Sequence, residues 1–181
     1  MKWLPLFLAA AGLAAAPPYT PTQSDLQQIQ TKLADLTGKI DRLHDRHADE
    51  ALLADVEVYK KAADYILRYR GEFYTQAYVR NTISALDTGL ERARELAGGS
   101  PSWPARKGRV VRAYRSRVDG SVQPYGMIVP DSYDGKRPVR LDVILHGRGS
   151  TLNEVSFIAA HDSEKPIPPE QNYLQLEVFG R

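Results

Sequence analysis

The sequence predicts an α/β protein in two parts: an antiparallel helical bundle, then a sheet that opens as an antiparallel hairpin and continues as parallel strands with a crossover helix. Three observations carry this. Apolar residues recur at gaps of three and four between Leu26 and Ala97, the period of one helix face. Beyond Gly98-Gly99 the period drops to two. Finally, the apolar run Leu141-Asp142-Val143-Ile144-Leu145 stops in a loop with alternating glycines, Gly147 and Gly149, and a helix-like segment follows.

Composition sets the outer limits. The 181 residues are 43 % hydrophobic, enough for one average domain or a small pair. With 24 Lys plus Arg against 22 Asp plus Glu, nothing demands a polyanionic partner such as nucleic acid. The absence of cysteine excludes a disulfide scaffold, a thiol nucleophile, a lipidated N-terminal cysteine and a thiolate metal site. Residues 1–16 read as an export signal, with Lys2 as the positive end, Trp3 to Leu13 as the apolar core and small residues from Gly12 to Ala16. Cleavage after Ala16 would leave Pro17 just beyond the scissile bond; cleavage after Ala14 avoids this. The run is too short to span a bilayer, so no stable membrane span is expected once the signal is removed, and the alternative is a short uncleaved anchor.

Residues 17–23 form a proline-rich spacer, and Ser24 with Gln27 has capping-box spacing. A helical domain is expected over 24–97. Its three stripes are Leu26, Ile29, Leu33, Leu36, Ile40 and Leu43; Leu52, Val56, Tyr59, Ala63 and Ile66; and Val79, Ile83, Leu86, Leu90, Ala93 and Ala97. Gly38 interrupts the first without ending it. Short connections around His47 to Glu50 and Gly71 to Thr75 imply antiparallel neighbours. Tyr65, Tyr69, Phe73, Tyr74 and Tyr78 read as packing at a helix corner with hydroxyls turned to water. His44 and His47 have one-face spacing for a metal, but no third and fourth ligands follow at a recognisable interval, so a polar helix end is the reading.

Residues 98–108 read as a linker anchored by Trp103. Segments 109–117 and 122–129 then form hairpin arms around Asp119-Gly120. Arg109, Arg112, Arg115 and Arg117 do not share one face, and protect an edge strand from mispairing. The run 141–145 is expected to be buried on both faces of a parallel sheet. Thr151 and Glu154 have capping-box spacing before a helix that ends near His161-Asp162, and residues 172–179 form a further strand. His161 reads as a solvated histidine after a surface helix. Ligands of open α/β sheets bind beyond the carboxyl ends of the strands, so function is expected after Leu145.

The tetrapeptide His146-Gly147-Arg148-Gly149 resembles the HGGG-type first oxyanion loop of α/β-hydrolases. More narrowly, the stretch Tyr114-Arg115-Ser116-Arg117-Val118-Asp119-Gly120-Ser121-Val122-Gln123-Pro124-Tyr125-Gly126, followed by Val129-Pro130 and the loop, is similar to exported prolyl-oligopeptidase-like serine hydrolases with a helical N-terminal domain. The resemblance is most specific over 109–181, which it makes a truncated α/β-hydrolase domain, the first half of the sheet. It implies that backbone N–H groups of Gly147 and Arg148 stabilise an oxyanion, that His146 and Gly149 support the loop, that the substrate is a peptide or small-molecule ester, and that no cofactor or metal is used. The departure is the nucleophile. None of Ser100, Ser121 or Ser150 has the glycines of a G-x-S-x-G elbow. The chain therefore reads as the N-terminal part of an exported serine hydrolase whose nucleophile, acid and base lie beyond Arg181, and it is expected to be inactive alone. Two other readings stay open: an envelope interaction protein that uses its helical bundle, and a noncatalytic carbohydrate- or peptide-binding module. Peptide versus ester preference and oligomeric state are not legible.

Overall fold

A computed structural model describes residues 18–145, 147 and 149–180. The expected signal segment, His146 and Arg148 lie outside the described residues. Among those described the chain has α/β content, with four α-helices and one four-stranded mixed sheet.

Helix α1 (Gln23–Asp45) starts two residues earlier than its sequence pattern suggested. Thr22 is the N-cap, and its hydroxyl and the Asp25 carboxylate exchange bonds with each other's backbone N–H, so Thr22–Asp25 forms the box expected of Ser24–Gln27. The helix runs unbroken through Gly38. Asp49 caps α2 (Glu50–Arg68) by accepting from the Ala51 and Leu52 amides. Between these helices His47 takes the left-handed conformation, φ 53°, which closes α1 as a C-terminal cap. Helix α3 (Ala77–Ala97) ends at Gly98, with Gly99 at φ 73°. The three helices meet at Gly89. A side chain there would put its Cβ 2.8 Å from Leu36 Cδ2 and 2.9 Å from Tyr59 Cβ, so only glycine permits this approach.

Strands β1 (Gly108–Arg115) and β2 (Val122–Val129) pair antiparallel from Gly108↔Val129 to Arg115↔Val122. The first arm ends two residues earlier than expected while the second has its expected bounds, and a loop from Ser116 to Ser121 joins them, closed by Ser116 N–H to Ser121 O at 2.8 Å, with Gly120 at φ 73°. Strand β3 (Leu141–Leu145), helix α4 (Glu154–His161) and strand β4 (Leu174–Val178) follow, and the strand order is β1-β2-β4-β3. β4 lies antiparallel to β2 and parallel to β3. The α4 box is also displaced: Asn153 and Ser156 form it, while Glu154, expected to complete one with Thr151, is buried and ion-paired to Lys61 at 3.3 Å.

β3 is not buried on both faces. Among the described residues it is an edge strand with β4 as its only neighbour, and α4 packs against the sheet face opposite Leu141, Val143 and Leu145, which are 48, 54 and 78 % exposed. The face that α4 covers shares one core with the helices: Val56 and Tyr59 of α2, Leu86 of α3, Val111 and Ala113 of β1, and Val155 and Ile158 of α4 are all buried in it.

Candidate functional site

The glycine loop leaves the sheet where the carboxyl ends of two parallel strands lie side by side, Leu145 opposite Val178. Gly147 is exposed, and a Cβ there would meet nothing within 4 Å; at Gly149 a Cβ would stand 3.3 Å from that of Leu152. What glycine contributes here is an uncovered backbone. His146 and Arg148, named from the sequence with these two, lie outside the described residues.

The far end of the loop is held by the helical segment. Tyr78 donates its hydroxyl to Thr151 O at 2.7 Å, so this ring does not turn its hydroxyl to water as expected. Asn153, 2 % exposed, caps α4 through its carbonyl oxygen and donates its amide to Glu72 O at 3.4 Å. These contacts join residues 73 and 81 positions apart. No local pattern announces them.

The other end of α4 is tied by a buried polar network that sequence reasoning missed. Asp55 on α2 is fully buried among apolar neighbours and accepts three bonds: Trp103 Nε1 at 2.9 Å, Arg112 Nε at 2.6 Å and the Ala113 amide at 2.6 Å. Arg112 is therefore not simply an edge-protecting charge; it turns to α2, and Arg115 pairs with Glu57 on the same helix. Arg92 of α3 lies between the rings of Tyr59 and Trp103, at 5.0 and 5.3 Å, and donates to Val111 O at 2.8 Å. Tyr59 donates to Asp162 Oδ2 at 2.7 Å and Arg106 to Asp162 Oδ1 at 3.1 Å. Burial pushes the Tyr59 hydroxyl well above its ordinary range, and the nearby Arg92 charge only partly opposes this. The chemistry is that of a clamp: two helices, β1 and the end of α4 converge on a few charges.

His161, expected in solvent, is 9 % exposed. Its ring occupies the place a side chain at Gly126 would need, for a Cβ there would be 2.2 Å from His161 Cδ2. Nδ1 meets Phe157 O at 2.8 Å and Nε2 meets Glu177 Oε2 at 2.8 Å, so both ring nitrogens face oxygen and the imidazole is locked in place. His44 is bonded to Glu57 at 2.8 Å, and His47 serves the α1 cap. Among the described residues no group of three or more His, Asp or Glu could hold a metal ion, and no helix is long and apolar enough to cross a membrane.

Comparison of the chain with protein-family models, with curated proteins and with solved structures gave no match.

Proposed function

We propose that these 181 residues are the N-terminal part of an exported serine hydrolase that acts by acyl transfer on a peptide or ester, with the loop after β3 supplying part of the oxyanion site. One observation carries this reading: the Gly147–Gly149 loop sits at the adjoining carboxyl ends of parallel β3 and β4, with α4 as the crossover, behind an antiparallel β1–β2 pair. The exposed edge of β3 and the apolar face formed by Leu141, Val143 and Leu145 support it too, because a larger sheet would use such an edge.

In the proposed mechanism a serine beyond residue 181 attacks the substrate carbonyl carbon while a histidine takes its proton. Negative charge gathers on the carbonyl oxygen. The amides of Gly147 and Arg148 donate to it, and His146 and Gly149 hold the loop. Such donors act on the transition state, so removing one costs about 2.7 to 4 kcal/mol in turnover rather than in binding. Anchoring of Thr151 and Asn153 by the helical segment gives that segment a positioning role.

The test uses the product of the full reading frame. A fluorophosphonate should label a serine beyond residue 181, and Gly147→Pro, which removes the amide hydrogen, should lower kcat by about 10²–10³ with little change in KM. A product without a reactive serine, or a proline variant with unchanged kcat, overturns the proposal.

A further inference from the structure

Helices α1 and α3 both begin at one end of the bundle and finish at the other, since α2 returns between them. At their carboxyl ends they enclose a concavity of about 200 Å³, with Lys39, Arg42, Arg46 and Arg94 around a floor of Leu43 and Ala93. Four cations and no carboxylate line it. For a chain with 24 basic and 22 acidic residues this is a local departure from interspersed charge.

Helix dipoles explain part of the cluster. Carboxyl ends attract cations, and Arg42 and Arg94 stand in the last turns. Lys39 lies well before the last turn, and Arg46 lies beyond the helix. Lys39 and Arg94 each have one exposed acid on their own helix, Asp35 at 3.5 Å and Glu91 at 3.6 Å. For Arg42 and Arg46, one helical turn apart, there is no ion-pair partner among the described residues. The floor is apolar, with Leu43 3 % and Ala93 1 % exposed. Ala93 and Ala97, also one turn apart, keep the α3 wall low and leave the space open. Arginine forks suit a compact oxyanion that accepts paired bonds.

We propose that this concavity binds the phosphoryl group of an anionic ligand, either a small soluble phosphate compound or a phospholipid headgroup. The site is separate from the glycine loop. Tyr78, which anchors the loop, and Arg94 stand 16 residues apart on α3, about 24 Å at 1.5 Å per residue. The proposal does not depend on hydrolase activity.

Calorimetry with inorganic pyrophosphate at low salt should give saturable one-to-one binding to the full chain that weakens as sodium chloride is raised. Arg42→Ala with Arg46→Ala should weaken it at least tenfold while lowering the thermal midpoint by no more than a few degrees, as loss of cations at a helix carboxyl end does, whereas Lys136→Ala with Arg137→Ala, exposed cations elsewhere, should leave binding unchanged. Sedimentation with phosphatidylglycerol and with phosphatidylcholine vesicles separates the sources: retention only on the anionic vesicles, lost in the Arg42/Arg46 variant, assigns a headgroup, and pyrophosphate binding without retention assigns a soluble ligand. Absence of both, or binding equal in the two double variants, overturns the site.

Discussion

Replacing Asp55 by asparagine keeps the side chain's shape and removes one acceptor oxygen and one charge. The carboxylate takes Trp103 Nε1 and Arg112 Nε on Oδ2 and the Ala113 amide on Oδ1. In the better of its two orientations the asparagine keeps the first pair and turns its NH₂ toward the Ala113 N–H. A buried donor left facing a donor costs about 1–3 kcal/mol, and turning the charge-assisted bond to Arg112 into a neutral one costs about 1 kcal/mol more. The sum, about 2–4 kcal/mol, overlaps the 3–5 kcal/mol typical of breaking a buried ion pair from one side. At about 2 kcal/mol per molar urea, the unfolding midpoint should fall by about 1–2 M with an unchanged slope. Arg112→Met supplies the internal control. In that background the Asp55 carboxylate has lost its cation, so Asp55→Asn should cost less than in the parent. A midpoint shift below about 0.5 M, or equal costs in the two backgrounds, would refute the account of Asp55 as the acceptor that joins α2 to β1.

Two glycines should answer the same substitution with opposite signs. Gly89→Ala forces Leu36 and Tyr59 apart and should cost about 1–3 kcal/mol, whereas Gly38→Ala, whose Cβ meets only Arg42 Nη1 at an ordinary 3.7 Å, should add about 0.5–1 kcal/mol. Thermal denaturation checks both, with about 2–4 °C expected per kcal/mol. Tyr59 and Tyr125 hold their protons more tightly in the fold than in the unfolded chain, chiefly because they are buried. Their contribution is complete below pH 10 and is lost as pH rises beyond it, because the unfolded chain then releases protons that the folded chain keeps. For the fully buried Tyr59 the decline approaches about 1.4 kcal/mol per pH unit above the unfolded value, and Tyr59→Phe should make the loss shallower in urea titrations between pH 9 and 11. Val143→Lys, on the open face of the edge strand, should reduce concentration-dependent association of the 181-residue chain in sedimentation velocity; equal association would clear β3 of that role.

The helices were legible because their signal is local: an apolar stripe depends on residues within a turn or two of each other. Leu26, Ile29, Leu36, Ile40 and Leu43 are the buried face of α1, read directly from spacing. Cap positions were less so. Thr22, Ser24 and their acidic or amide partners offer two overlapping boxes, and the path of the chain into the helix selects one. Burial of β3 was misread because an apolar run records what a strand tolerates and not what lies beside it. His161 shows the same limit, since Gly126 admits its ring and Glu177 meets it from another strand.

Period, chain-breaking residues and the glycine loop are properties of neighbouring positions, and with them the helical part, the hairpin and the strand-loop-helix order could be read in advance. Which charge faces which was settled only by folding: Asp55 meets Arg112 across 57 positions, Tyr59 meets Asp162 across 103, and Tyr78 reaches Thr151 across 73. Backbone preferences act over a few bonds. A buried carboxylate is stable only where donors from distant segments arrive together, and that arrival depends on how α2, α3 and β1 pack.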